Sequence, residues 1–287
     1  MAPQGLMLLA HGSPSESVWA FQAHPDVWLL VGALGGAYWW ALRRGEGASR
    51  RQVTLFGLGL LALWVHSDWP IHDIAEERLL SVHMVQHTGF QLIAAPLLLV
   101  GTPAWLLRRL VAPVKPVLRW LARPLIAAVL FNGLVVLTHW PVVVNASLES
   151  ELLHFFVHTL LFGSALLMWF PVLNLGRVPD LPQLGEAGRM LYLFLQSVLP
   201  TVPASFFTFA EKAIYRFYAE APRAFGLSAV DDQQLAGGLM KVYAGSILWG
   251  VIVVMFFRWY ARDRREAEQL RWDDVQAEFE RSPAPAP

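Results

Sequence analysis

The chain has 287 residues, 55% of them hydrophobic and only 15% charged, with a formal net charge of zero. A soluble domain carries about 25% charged residues, so the composition points to a membrane. With no net positive charge, bulk electrostatics does not point to nucleic acid, and no nucleic-acid partner is expected. There are no cysteines. That excludes disulfides, iron–sulfur ligation and thiolate metal sites, and leaves histidine, methionine and carboxylate as possible metal ligands.

Residues 1–24 read as a short tail outside the membrane. GLMLLA at 5–10 is too brief for the apolar core of a signal peptide, and no basic residue precedes it. Seven apolar runs follow, at about 26–42, 53–67, 80–104, 124–140, 151–173, 189–209 and 236–258. They approach or exceed the ~18 residues that a hydrocarbon core demands. Lipid offers backbone groups no partner outside a helix or a closed barrel, and these runs are too continuous for barrel strands. The expected fold is therefore all-α: a polytopic bundle of seven transmembrane helices in the lipid bilayer. The membrane domain is residues 25–260, and residues 261–287 form a charged, then Pro/Ala-rich, cytoplasmic tail.

Basic residues set the orientation. The loops after the first, third and fifth runs and the C-terminal tail hold 17 of the 22 Lys and Arg residues. The opposite side holds Arg78, Lys212, Arg216, Arg223 and Lys241. The richer side is expected to be cytoplasmic, which puts the N-terminus outside and the C-terminus inside. Pro96 in the third run, and Pro200 and Pro203 in the sixth, each leave a carbonyl without its usual helical donor and predict kinks.

On this topology all nine histidines fall on the outer side. His66 and His72 flank the end of the second run, His83 and His87 open the third, His139 ends the fourth, and His154 and His158 open the fifth. His11 and His24 lie in the external tail and are not expected in a fixed site. The pairs His83/His87 and His154/His158 are each four residues apart, so each presents two imidazoles on one helix face, ~6 Å apart along the axis. Polar groups at membrane depth face the bundle interior, so the two pairs are expected to converge on one metal, with His139 nearby. Asp68 or Asp73, in HSDWPIHD, would orient the set. His66 and His72 are further candidate ligands, as is Met84, whose thioether favours Cu(I); Met240 lies at similar depth. Trp64, Trp69, Trp105, Trp140 and Trp259 suit an interfacial belt. Glu76, Glu77 and Arg78 read as a solvated turn before the third run. No phosphate loop, nucleophile elbow or HExxH motif is present in the sequence.

The third run reads SVHMVQHTGFQLIAAPLLLVGTPAWLLRRL. This resembles the signature of the CtaG-like family, the assembly factors of caa(3)-type cytochrome c oxidases. The resemblance rests on His83, Met84, His87, Pro96, Gly101, Pro103, Arg108 and Arg109, with THWP at 138–141 and HFFVH at 154–158 as supporting features. It extends over about residues 25–260. Thr88 departs from it, standing where the family pattern carries a second methionine. The resemblance implies a protein of the bacterial cytoplasmic membrane that partners cytochrome c oxidase subunits and supplies copper on the outer face, without being an enzyme.

The residues alone leave two other functions open. One is an intramembrane zinc hydrolase, in which His66, Ser67 and Asp68 would hold or activate a metal-bound water. The other is a single b-type haem held by histidines of the third and fifth runs.

Overall fold

The computed structural model describes residues 17–281, and among these residues it is helical without strands. His11 and the Pro/Ala-rich end lie outside the described residues. Every apolar run is a helix. The first two are α1 (Pro25–Arg44) and α2 (Arg50–Ser67). A short α3 (Ile71–Glu77) precedes α4 (Leu80–Gly101). Two brief helices, α5 (Ala104–Val111) and α6 (Lys115–Leu121), lead into α7 (Pro124–Thr138). Then come α8 (Pro141–Leu148), α9 (Glu151–Leu173), α10 (Glu186–Phe209), α11 (Arg216–Glu220) and α12 (Ala229–Arg281). Four helices are long and apolar enough to cross a membrane: α4, α9, α10 and the Ala229–Gln269 part of α12. A fifth crossing arises if α5–α6 and α7, bent by 90° where they meet, form one span.

Polarity in this bundle is inverted relative to a soluble protein. Leu125, Leu152 and Phe209 are each more than three-quarters exposed, whereas Gln86, Gln196, Asn174 and Asp232 are only 1% exposed. Lipid tails accept the first group as readily as a protein core would, and buried polar groups need partners inside. α4 runs through the middle. Its second half packs on α2 and α9, and its first half on α3 and α12. Gly101 permits a close approach, because a methyl group there would collide with the backbone of Phe56 on α2.

The proline kinks have specific forms. Gly89–Ala94 winds as a π-turn just ahead of Pro96. In this turn the Gln91 carbonyl accepts a hydrogen bond from the Trp169 indole at 2.8 Å. α10 steps at Leu199 and Pro200, between Glu186–Val198 and Thr201–Phe209. The turn at Glu76–Arg78 departs from its expected solvation: Glu76 is 8% exposed and Arg78 5%. α3 tucks that charged run under the bundle end instead of presenting it to water.

The first backbone donors of α4 have no local cap. Asp232 of α12 supplies one, accepting from Leu80 N at 2.8 Å and Ser81 N at 3.1 Å. A buried carboxylate at a helix N-terminus meets both the unsatisfied donors and the positive end of the dipole. Asp232→Ala will therefore cost about 2–4 kcal/mol, the scale of charged hydrogen bonds removed from buried donors. Thermal unfolding in detergent reads this directly, with Asp232→Asn losing less. An unchanged midpoint for both variants would show that the cap does not hold α4 in place.

Candidate metal centre

α4 places His83 and His87 one turn apart on its inner face, both buried. α9 brings His154 and His158 opposite them. Ring centroids lie 5.6 Å apart for His83–His158, 4.7 Å for His87–His158, 5.9 Å for His83–His154 and 4.2 Å for His154–His158. The two Nε2 atoms of His83 and His87 are 2.7 Å apart. One ligand atom from each of His83, His87 and His158 fits within a 4.8 Å cluster. Tetrahedral ligands bound at ~2.0–2.1 Å stand roughly 3.3 Å from one another, so small side-chain adjustments would close this set around an ion. His83 Nδ1 and His158 Nε2 are buried without a hydrogen-bond partner among the described residues, so neither is committed to another protein group.

His139 stands at the edge, its ring 5.8 Å from His87. Its Nδ1 donates to the Val135 carbonyl at 2.6 Å, which fixes the tautomer and leaves Nε2 free to ligate. A cavity of about 20 Å³ lies among His83, His87, His139, His154 and His158, enough for one water-sized occupant. A second, of about 60 Å³, shares Met84, His87 and His139 and adds Met168, Met240 and Gln196.

Other histidines sit differently. His66 donates from Nδ1 to the Ala62 carbonyl at 2.7 Å and rests on Gly89, where any side chain would overlap its ring. It is not part of the nitrogen cluster. Phe90 touches both His66 and His158. His72 stands at the mouth, with Nδ1 2.9 Å from Glu76 Oε1. His24 is not a free tail residue: its Nε2 lies 2.9 Å from Asp73 Oδ1, and its ring stacks edge-on against His72 at 4.7 Å.

Glu76 is the residue that sequence reasoning misplaced. Its Oε1 bridges His72 and, at 2.7 Å, His154 Nε2. Burial pushes the Glu76 carboxyl up, but the facing His72 and His154 imidazoles outweigh it and hold it well below the usual carboxylate range. The converse holds for His72. Burial lowers its imidazole, and the Glu76 carboxylate outweighs burial and raises it above its ordinary value. The sequence did hold a signal for Glu76, four residues after His72 and so on the same face of α3.

Aromatic hydroxyls brace the cluster. Tyr218 donates to the Ala75 carbonyl at 2.7 Å and Tyr215 to the His139 carbonyl at 2.8 Å. Asp68 is committed elsewhere, accepting from the Trp28 and Trp64 indoles at 2.7 and 2.6 Å and from Trp69 N at 2.9 Å. It is a structural anchor for the α2 end, not a partner of the cluster.

Comparison with known proteins identifies a family. The family described as cytochrome c oxidase caa3 assembly factor matches residues 36–262, a stretch that includes α2 to α11 and every cluster histidine. No curated protein and no solved structure matched the chain. With its apolar helices and this match over most of its length, the chain is a membrane protein that belongs to the caa3-type cytochrome c oxidase assembly factor family.

Proposed function

We propose that the protein supplies copper to the oxidase it helps assemble, holding the ion between α4 and α9 on the outer side of the bacterial cytoplasmic membrane. The observation that carries this reading is the convergence of His83, His87 and His158 within 4.8 Å. A cysteine-free nest of imidazoles with Met84 beside it suits copper better than a hard cation. Copper here is cargo. The chain's part is to exclude water, present lone pairs and release the ion to a partner subunit.

The alternatives fit less well. A hydrolase built on His66, Ser67 and Asp68 lacks a free carboxylate, because Asp68 already accepts three hydrogen bonds. A haem needs its macrocycle between axial ligands, whereas these rings touch one another beside cavities of about 20 and 60 Å³. Purified protein loaded with Cu(I) is expected to retain close to one equivalent without a Soret band. Stoichiometric zinc with no copper uptake would reject the reading.

The orientation is part of the proposal. Seven spans with the N-terminus outside put the histidine end of the bundle on the outer face, as the Lys and Arg distribution supports. A reporter fused after Arg265 is expected to be active only in the cytoplasm, and one inserted near Gly226 only outside. The reverse pattern would overturn the topology and outward delivery with it.

A further inference from the structure

The inner cluster contains only imidazole nitrogen. One step toward the bundle end, the donor set changes: Glu76, His72 and His154 bring a carboxylate oxygen and two ring nitrogens together. Glu76 Oε1 is 2.9 Å from His72 Nδ1 and 2.7 Å from His154 Nε2. Glu76 Oε1 and His154 Nε2 are buried without a complete hydrogen bond between them, and His72 Nδ1 also faces Gln86 Nε2 at 3.2 Å. A buried carboxylate held against imidazole nitrogens offers a cation a mixed oxygen and nitrogen donor set once it displaces the imidazole protons. His72 and Glu76 share a face of α3, four residues apart, so α3 and α9 together form this second set. One ligand atom each from Glu76, His154 and His158 also lies within 4.8 Å. His158 therefore belongs both to this set and to the inner one.

Exposure falls in the same direction. The side chain of His72 is 26% exposed and that of His154 12%, whereas His83 and His87 are buried. His24 and Asp73 stand next to His72 at the most open point.

We infer that Glu76 and His154, with His72 at their outer edge, form a receiving site for a divalent first-row cation, adjacent to the all-histidine cluster and linked to it through His158. The inference rests on the copper-delivery reading above. A carboxylate ligand favours a divalent ion over Cu(I), and a net negative donor set at the mouth attracts cations from solution. Passage inward keeps the ion divalent: His158 stays bound while Glu76 and His154 are exchanged for His83 and His87, with no change of oxidation state.

Quantification of bound Cu²⁺ and, in a parallel arm, Zn²⁺ on the purified full-length protein tests this, after desalting and without reductant. The wild type is expected to hold two ions, and Glu76→Gln, which keeps the size of the side chain but removes its charge, one. His72→Ala is expected to match Glu76→Gln, and as the more exposed residue it carries less risk to folding. His83→Ala/His87→Ala is expected to keep one Cu²⁺ whose paramagnetic resonance shows mixed nitrogen and oxygen ligation. The arm that saturates at lower concentration identifies the ion. Equal stoichiometry in wild type and Glu76→Gln would overturn the receiving site and leave copper delivery standing, with Glu76 merely orienting His154. Loss of both ions in Glu76→Gln at an unchanged thermal midpoint would likewise overturn it. If His83→Ala/His87→Ala binds as the wild type does, the copper-delivery reading itself fails.

Discussion

Replacing His83 and His87 together by Ala will abolish retention of Cu(I) through a desalting column. Loss of a group that only orients a metal ligand typically costs ~10–100-fold in affinity, and the double variant removes two direct donors, so the fall will exceed ~100-fold, or about 2.7 kcal/mol. The remaining donors compensate poorly, because His154 is paired with Glu76 and His139 stands at the edge of the cluster, its ring 5.8 Å from that of His87. His139→Ala provides the contrast. With its Nδ1 tied to the Val135 carbonyl, His139 borders the cavity instead of closing it, so that variant will retain the ion with weaker affinity. Two imidazole-to-methyl changes also open a void beside Leu80 and Tyr218, so both variants need their thermal midpoints measured alongside. Full copper retention by a folded double variant would remove the metal centre from the account of this protein.

The sequence made the histidine pairs legible for a physical reason. Spacing of four is a geometric statement about a helix, and a membrane removes the option of pointing imidazoles outward. Once 80–104 and 151–173 were read as spans entering from one side, the two pairs had little choice but to meet. Glu76 was not legible in the same way. A Glu-Glu-Arg run ahead of an apolar segment has the composition of a solvated turn, and its burial depends on α3 folding back under α4, which no local pattern announces. Asp232 illustrates a stronger limit. It caps a helix that begins 152 residues earlier in the chain, and such a contact leaves no periodicity in either segment. His24 was read as tail because its partner Asp73, 49 residues away, is visible only in the fold. Met168 is similar: it faces the cavity beside Met84 and Met240, but within α9 it looks like any buried apolar residue. Pro96 did signal a departure from helical bonding. The form it takes, a π-turn whose Gln91 carbonyl is served by Trp169, needed the neighbouring helix in place.

Deleting the protein will leave the oxidase polypeptides made but largely inactive under copper limitation, and excess external copper will restore much of the activity. The reasoning is mass action. A carrier with a preorganised site raises the local supply of a scarce ion at the partner subunit, and a sufficient bulk concentration produces the same occupancy without it. The placement of the cluster adds a directional expectation. If the histidine end faces outward, copper added outside will rescue the deletion, whereas raising cytoplasmic copper alone will not. The double His83→Ala/His87→Ala variant, expressed at wild-type level, will behave as the deletion does. Glu76→Gln will give an intermediate phenotype that external copper corrects at lower concentration, because its inner cluster is intact and only capture is slowed. Oxidase activity per assembled enzyme, measured across a copper series in the four strains, separates these cases. Full activity in the deletion strain under copper limitation would show that the chain assists assembly by some means other than supplying the metal. Rescue of Glu76→Gln only at the concentration the deletion requires would place Glu76 within the cluster's essential ligands instead of ahead of them.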